Sequence, residues 1–191
     1  MFNSCGKDDS TSTLQSTSIN KIMPLGASRV EGSRPAFESF RYELWKDLTE
    51  NNWTFDYIGT QTGAPDIVLF STLGGNDGLQ NLPFDRTISN IKAVIDVLQN
   101  ANPNVTIIIE QGAPGRSDIM TTELTNYFNL LTQEILTIAS EKSTTSSQVI
   151  AVDMFTGFTD SLFADDIHYN EVGANFIASR YYAILENILE E

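Results

Sequence analysis

Lys21-Ile22-Met23-Pro24-Leu25-Gly26-Ala27-Ser28 is the stretch that decides the fold class. Its apolar run stops at a glycine, as a buried strand does when it ends in a tight turn. Ser28 then falls at the carboxyl end of a first strand. Downstream, Phe37, Phe40, Leu44, Trp45 and Leu48 recur at helical spacing with charges between them, predicting an amphipathic helix over residues 37–51 that ends at Asn51-Asn52. Aromatic and β-branched runs predict strands at 53–58, 67–70, 105–109 and 149–153. Helical segments at 86–100, 121–142 and 172–191 lie among them. Strands with unbroken apolar character belong to a sheet buried on both faces. The alternation therefore predicts an α/β, flavodoxin-like, doubly wound three-layer sandwich with right-handed crossovers around a central, mostly parallel five-stranded sheet. In such a fold, functional groups gather on loops after the strands.

The 191 residues suffice for one domain with a substantial core, and 41% hydrophobic content places the chain among globular proteins. A formal charge of −14, with Lys and Arg scattered among acids, leaves no basic footprint for nucleic acid or an anionic membrane surface. No run approaches the ~20 apolar residues of a membrane-spanning helix, so no transmembrane segment is expected. Cys5 is the sole cysteine, which excludes an intrachain disulfide and a cysteine-based metal cluster. Residues 1–19 are rich in Ser, Thr and Asp without apolar periodicity and read as a flexible tether, leaving residues 20–191 as the folded domain.

Chemistry concentrates at three places. His168 is the only histidine and lies in an Asp-rich loop between the last strand and the last helix. Imidazole can take a proton from a serine near neutral pH and return it to a leaving group. Asp165, three residues earlier, can reach back to the ring's Nδ1, with Asp166 as a neighbouring competitor; the bland reading is that both acids solvate the loop or cap the helix. Leu73-Gly74-Gly75-Asn76-Asp77 follows the 67–70 strand, at the same end of the sheet as Ser28. It reads either as an ordinary turn or as a mount that aims the Asn76 amide at a developing oxyanion. Arg116, in Gly112-Ala113-Pro114-Gly115-Arg116, is either a solvated charge or a substrate contact on the functional edge. Trp45 and Trp53 fall in predicted helix and strand and read as core.

Together these blocks resemble the SGNH, or GDSL-like, hydrolases. Met23-Pro24-Leu25-Gly26-Ala27-Ser28 is similar to the family's Gly-Asp-Ser block, Gly74-Gly75-Asn76-Asp77 to its Gly-x-Asn-Asp block, and Asp165-Asp166-Ile167-His168 to its Asp-x-x-His block. The 41–48 segment and Asp56-Tyr57-Ile58-Gly59 resemble the bacterial branch that includes carbohydrate esterases. The resemblance covers the chain from Ile22 onward. It implies a catalytic domain with Ser28 as nucleophile, His168 as base and acid, and Asp165 as its orienter. The implied oxyanion donors are the Ser28 backbone N–H and the Asn76 amide. A further glycine donor is implied as well; Gly59 and Gly63 are its candidates, in a link to Asp66 far shorter than the family's insert. Ala27 stands where the family has aspartate. No metal or cofactor is implied. The implied substrate is a short-chain or acetyl ester, with a carbohydrate preferred as its alcohol. A surface binding protein that has lost catalysis is the alternative, and a phosphate-binding flavodoxin-like domain ranks last because no phosphate-cradling glycine loop follows the first strand. Phe2-Asn3-Ser4-Cys5 resembles the end of a bacterial lipoprotein signal peptide, and Gly6-Lys7-Asp8-Asp9 the export signal of Bacteroidetes surface lipoproteins. That second resemblance implies a lipid anchor at Cys5 and an extracytoplasmic location, cell-surface or secreted.

Overall fold

Successive side chains of a strand point to opposite faces, and in Ile67–Phe70 this alternation divides the core in two. The structure is a computed structural model and describes residues 17–59, 64–71 and 73–191. Its strands are β1 (Lys21–Leu25), β2 (Asp56–Tyr57), β3 (Ile67–Phe70), β4 (Thr106–Gln111) and β5 (Val149–Asp153). Its helices are α1 (Ser28–Glu31), α2 (Phe40–Glu50), α3 (Gly75–Leu79), α4 (Phe84–Ala101), α5 (Thr122–Lys142) and α6 (Glu171–Leu185), with a 3₁₀ turn at Asp160–Leu162. Ile67 and Leu69 join Phe40, Leu44 and Leu48 of α2 and Ile177 and Tyr181 of α6 in one cluster. Val68 and Phe70 join Ile91 and Ile95 of α4 and Leu131 and Ile135 of α5 in the other. The sheet is thus covered on both sides, which is why β3 and the Ile107-Ile108-Ile109 run of β4 carry no polar face.

All the strand pairs are parallel, in the order β2-β1-β3-β4-β5. The chain adds β2 on one side of β1 and then returns to add β3 on the other. The carboxyl ends of β1 and β3 therefore flank the point where the winding reverses, where open α/β sheets place their ligands. Ser28 follows β1, and Asn76 follows β3.

Four elements depart from expectation, among them the last helix, which ends at Leu185 rather than at residue 191. The helix expected from residue 37 is α2 and starts at Phe40, because the Ser39 hydroxyl accepts from Arg41 N at 3.3 Å as its cap and donates to Val30 O at 2.7 Å. Phe37 lies in the loop before it. The strand expected at 53–58 shrinks to Asp56–Tyr57, since Trp53 N still donates to Leu48 O at the end of α2 and Asn52 turns the chain with φ 61°. The Asn76 segment, expected as a turn, is the short helix α3.

A carboxylate sits inside the α6 layer. Glu110 at the end of β4 is 1% exposed and accepts from the Tyr181 hydroxyl at 2.6 Å and the Ser71 hydroxyl at 2.9 Å. Burial and the adjacent carboxylate push the Tyr181 phenol well above its ordinary range, so it stays a donor. Tyr181→Phe withdraws a donor from a buried acceptor and is expected to cost about 1–3 kcal/mol of stability, read from urea unfolding.

Candidate active site

The serine is presented by a strand-to-helix turn. Gly26-Ala27 ends β1, and Ser28 is the first residue of α1, where no intrahelical carbonyl reaches its backbone N–H. Ser28 Oγ lies 2.9 Å from His168 Nε2, and His168 Nδ1 lies 2.8 Å from Asp165 Oδ2. The other Asp165 oxygen accepts from the backbone N–H groups of Ile167 at 2.9 Å and His168 at 2.7 Å. Burial opposes the Asp165 charge, but these backbone donors and the His168 ring outweigh it and hold the carboxyl below the ordinary carboxylate range. Asp165, rather than its competitor Asp166, thus holds the ring, bringing together three residues that span 140 positions of sequence.

Asn76 is held on a separate mount. Gly74 adopts φ 70°, and a Cβ there would run into Thr87 and Tyr127, so the position demands glycine. The Tyr127 hydroxyl donates to Gly74 O at 2.9 Å, and Asp77 accepts from the Thr87 hydroxyl at 2.9 Å, pinning the start of α3 to α5 and α4. Asn76 and Ser28 both line a hollow of about 30 Å³ whose other walls include Leu73, Leu79, Phe128 and Ile167. Of the two glycines considered as further oxyanion donors, Gly59 is exposed and does not line this hollow; Gly63 lies outside the described residues, as does Cys5.

Arg116 does not line the hollow either. Its backbone N–H donates to Asp166 O at 2.9 Å, and its Nε stands 3.8 Å from Asp118. Trp53 packs against the core, with its indole N–H 3.4 Å from the Tyr182 hydroxyl. Trp45, expected in the core, is 45% exposed, because α2 buries Phe40, Leu44 and Leu48 and turns Trp45 away from them.

Two residues that sequence reasoning did not single out shape the site. Arg29, next to the serine, donates from Nε to Ile167 O at 2.6 Å, from Nη1 to Ala113 O at 2.9 Å and from Nη2 to Pro114 O at 3.0 Å. Its guanidinium also lies 4.9 Å above the Tyr169 ring. One planar cation thereby joins the serine turn, the 112–115 loop and the histidine loop. The only sequence signal was a cation beside the serine in a strongly acidic chain. The second residue is Phe37, whose ring stacks on His168 with centroids 3.9 Å apart and planes 17° apart. Its helical phase with Phe40 and Leu44 disguised it as core. Among the described residues no group of three His, Cys, Asp or Glu side chains could hold a metal ion, and no helix is long and apolar enough to cross a membrane.

Arg29→Met is expected to cost about 2–4 kcal/mol in denaturant unfolding, because it strips donors from loop carbonyls, and to speed hydrogen exchange at the Arg116 N–H. Asp165 gives a pH-dependent counterpart. Its folded pKa is depressed, so the stability it contributes is present above its unfolded value and is lost as pH falls through the lower folded value. The melting-temperature gap between the wild type and Asp165→Asn should be open near pH 7 and narrow below about pH 4, the ordinary carboxylate range.

No family model matches this sequence, and no curated protein matches it. Solved structures do match in fold. An acetyl esterase, solved as an S10A mutant with acetate ion, superposes with a TM-score of 0.72 at 18% identity, covering 88% of this chain and 97% of its own. A carbohydrate esterase family 3 protein from Talaromyces cellulolyticus gives 0.72 at 19%, with 88% and 97% covered. A chain assigned as a GDSL-like lipase from Parabacteroides merdae gives 0.68 at 12%, with 89% and 96% covered. With its all-parallel five-stranded sheet and the serine after β1, this chain has the fold of the SGNH (GDSL-like) hydrolases.

Proposed function

We propose that this chain is a serine ester hydrolase that removes short, acetyl-like acyl groups through an acyl-enzyme. The unbroken run from Ser28 Oγ through the His168 ring to Asp165 carries the proposal. A serine hydroxyl is a weak nucleophile until a base can take its proton as it attacks. In this reading His168 Nε2 accepts that proton while Oγ bonds to the acyl carbon, and Asp165 fixes the tautomer and stabilises the imidazolium. The carbonyl oxygen gains charge and is met by the Ser28 N–H and the Asn76 amide. The imidazolium then protonates the departing alcohol as the ester C–O bond breaks. Water, deprotonated by the same imidazole, attacks the acyl-enzyme and frees Ser28 and the carboxylic acid. No step calls for a metal or cofactor.

The apolar hollow beside Ser28 supports the choice of acyl group. At about 30 Å³ it has room for about one water-sized group, which suits an acetyl methyl better than a long chain. A carbohydrate is the proposed alcohol, in keeping with the fold shared with a carbohydrate esterase. An extracytoplasmic setting, with Cys5 as a lipid attachment point or the chain secreted, is the proposed location. The short link from Gly59 to Asp66 favours one competing reading, a binding protein of the same fold with a weakened oxyanion site.

Hydrolysis of p-nitrophenyl acetate separates the two. The wild type should turn it over and Ser28→Ala should lose at least about 10³-fold in kcat, while Asn76→Ala should lose about 10²–10³-fold with KM little changed. Wild-type turnover no faster than that of Ser28→Ala, with no adduct on Ser28 from an organophosphonate, would establish the binding protein instead.

A further inference from the structure

Two chemically different hollows meet at Ser28. The first is the small apolar one described above. On the other side of the serine a more open hollow of about 370 Å³ runs past Ala27, Ser28 and Val30 to Glu31 and Arg41. Those last two residues also line a third hollow, of about 360 Å³, whose remaining walls include Tyr42, Trp45 and Tyr57. The two larger hollows are thus neighbours that share Glu31 and Arg41 as a common wall, where Arg41 Nη2 donates to Glu31 O at 2.7 Å.

The lining of the third hollow is selective. Among the described residues its walls are aromatic, polar, charged or glycine, and none is aliphatic. An acyl chain would find no aliphatic lining there. The charges balance, Glu31 and Glu38 against Arg34 and Arg41, so a strongly ionic ligand has no advantage. Tyr42 and Trp45 are 48% and 45% exposed and lie nearly parallel, 10° apart with centroids 6.3 Å apart. Arg34 stands 4.6 Å from the Tyr42 ring centroid and Lys46 stands 5.0 Å from it, so the platform is braced before any ligand arrives. A flat π-face beside hydrogen-bonding side chains suits a ring with an apolar C–H face and a polar hydroxyl edge. Both hollows lie in the ~300–1,000 Å³ range of small-molecule sites.

We propose that the hollow walled by Tyr42, Trp45 and Tyr57 is a subsite for a neutral pyranose ring, stacked on Trp45, of the glycan whose ester reaches Ser28. The proposal rests on the ester-hydrolase reading for the role of that glycan, but the subsite itself is a matter of binding and is tested without turnover. The full chain carrying Ser28→Ala is run through native gels containing acetylated xylan or acetylated glucomannan. At least one polymer should retard it. Adding Trp45→Ala should weaken that binding about tenfold, the order expected when one aromatic anchor is removed, and Trp45→Phe should restore most of it. Trp45 is exposed, so thermal melts of these variants should match the parent.

Absence of retardation by both polymers, or retardation that Trp45→Ala leaves unchanged, overturns the subsite. So does Trp45-dependent self-association in sedimentation without glycan binding, which would give this face to a second copy of the chain. Trp45-dependent retention in a protein whose wild type fails to hydrolyse p-nitrophenyl acetate supports the subsite while removing the esterase reading.

Discussion

A parallel sheet covered by helices on both faces has no solvated side on which to put polar chemistry. β3 and β4 illustrate the constraint, with Val68, Leu69 and Ile107 to Ile109 all sealed from solvent. Parallel pairing also makes every strand end on the same edge. Whatever the chain does with polar groups must then happen on the loops that leave that edge. Ser28, Asn76, the 112–116 loop and the Asp165 to His168 loop all follow strands, and their proximity is a consequence of strand direction before any side chain is chosen.

Direction alone leaves such loops free to move, and Arg29 supplies the fixation. Backbone carbonyls of Ala113, Pro114 and Ile167 need donors once they are withdrawn from water, and one guanidinium meets them together. A lysine could not span the same set in one plane. Phe37 stacks on one face of the imidazole, and the Asp165 carboxylate accepts from the backbone N–H groups of Ile167 and His168. The histidine is therefore oriented from its ring face, its Nδ1 and its own loop.

The surface around Ser28 is divided by chemistry. Leu73, Leu79 and Phe128 crowd one side into a space of methyl size, while the other side is a more open hollow that runs to Glu31 and Arg41. An ester has the same asymmetry, a small apolar acyl part and a polar alcohol. Tyr42 and Trp45 are exposed because α2 takes its burial from Phe40, Leu44 and Leu48.

The sequence by itself determined the layer order. Uninterrupted apolar runs at Ile67–Phe70 and at Ile107-Ile108-Ile109, separated by an amphipathic helix, admit a buried parallel sheet and little else, because local periodicity reports burial directly. It also pointed to Ser28, Asp165, Asn76 and His168, through the chain's single histidine and through short blocks after the strands that resemble the motifs of a known family. The tertiary structure alone decided the rest. That Phe37 leaves the helix to stack on His168, that Trp45 faces solvent, and that Arg29 ties distant loops together are outcomes of competition between elements far apart in the chain. A guanidinium's partners here are backbone carbonyls, which every residue carries, so no pattern of side chains could have announced them.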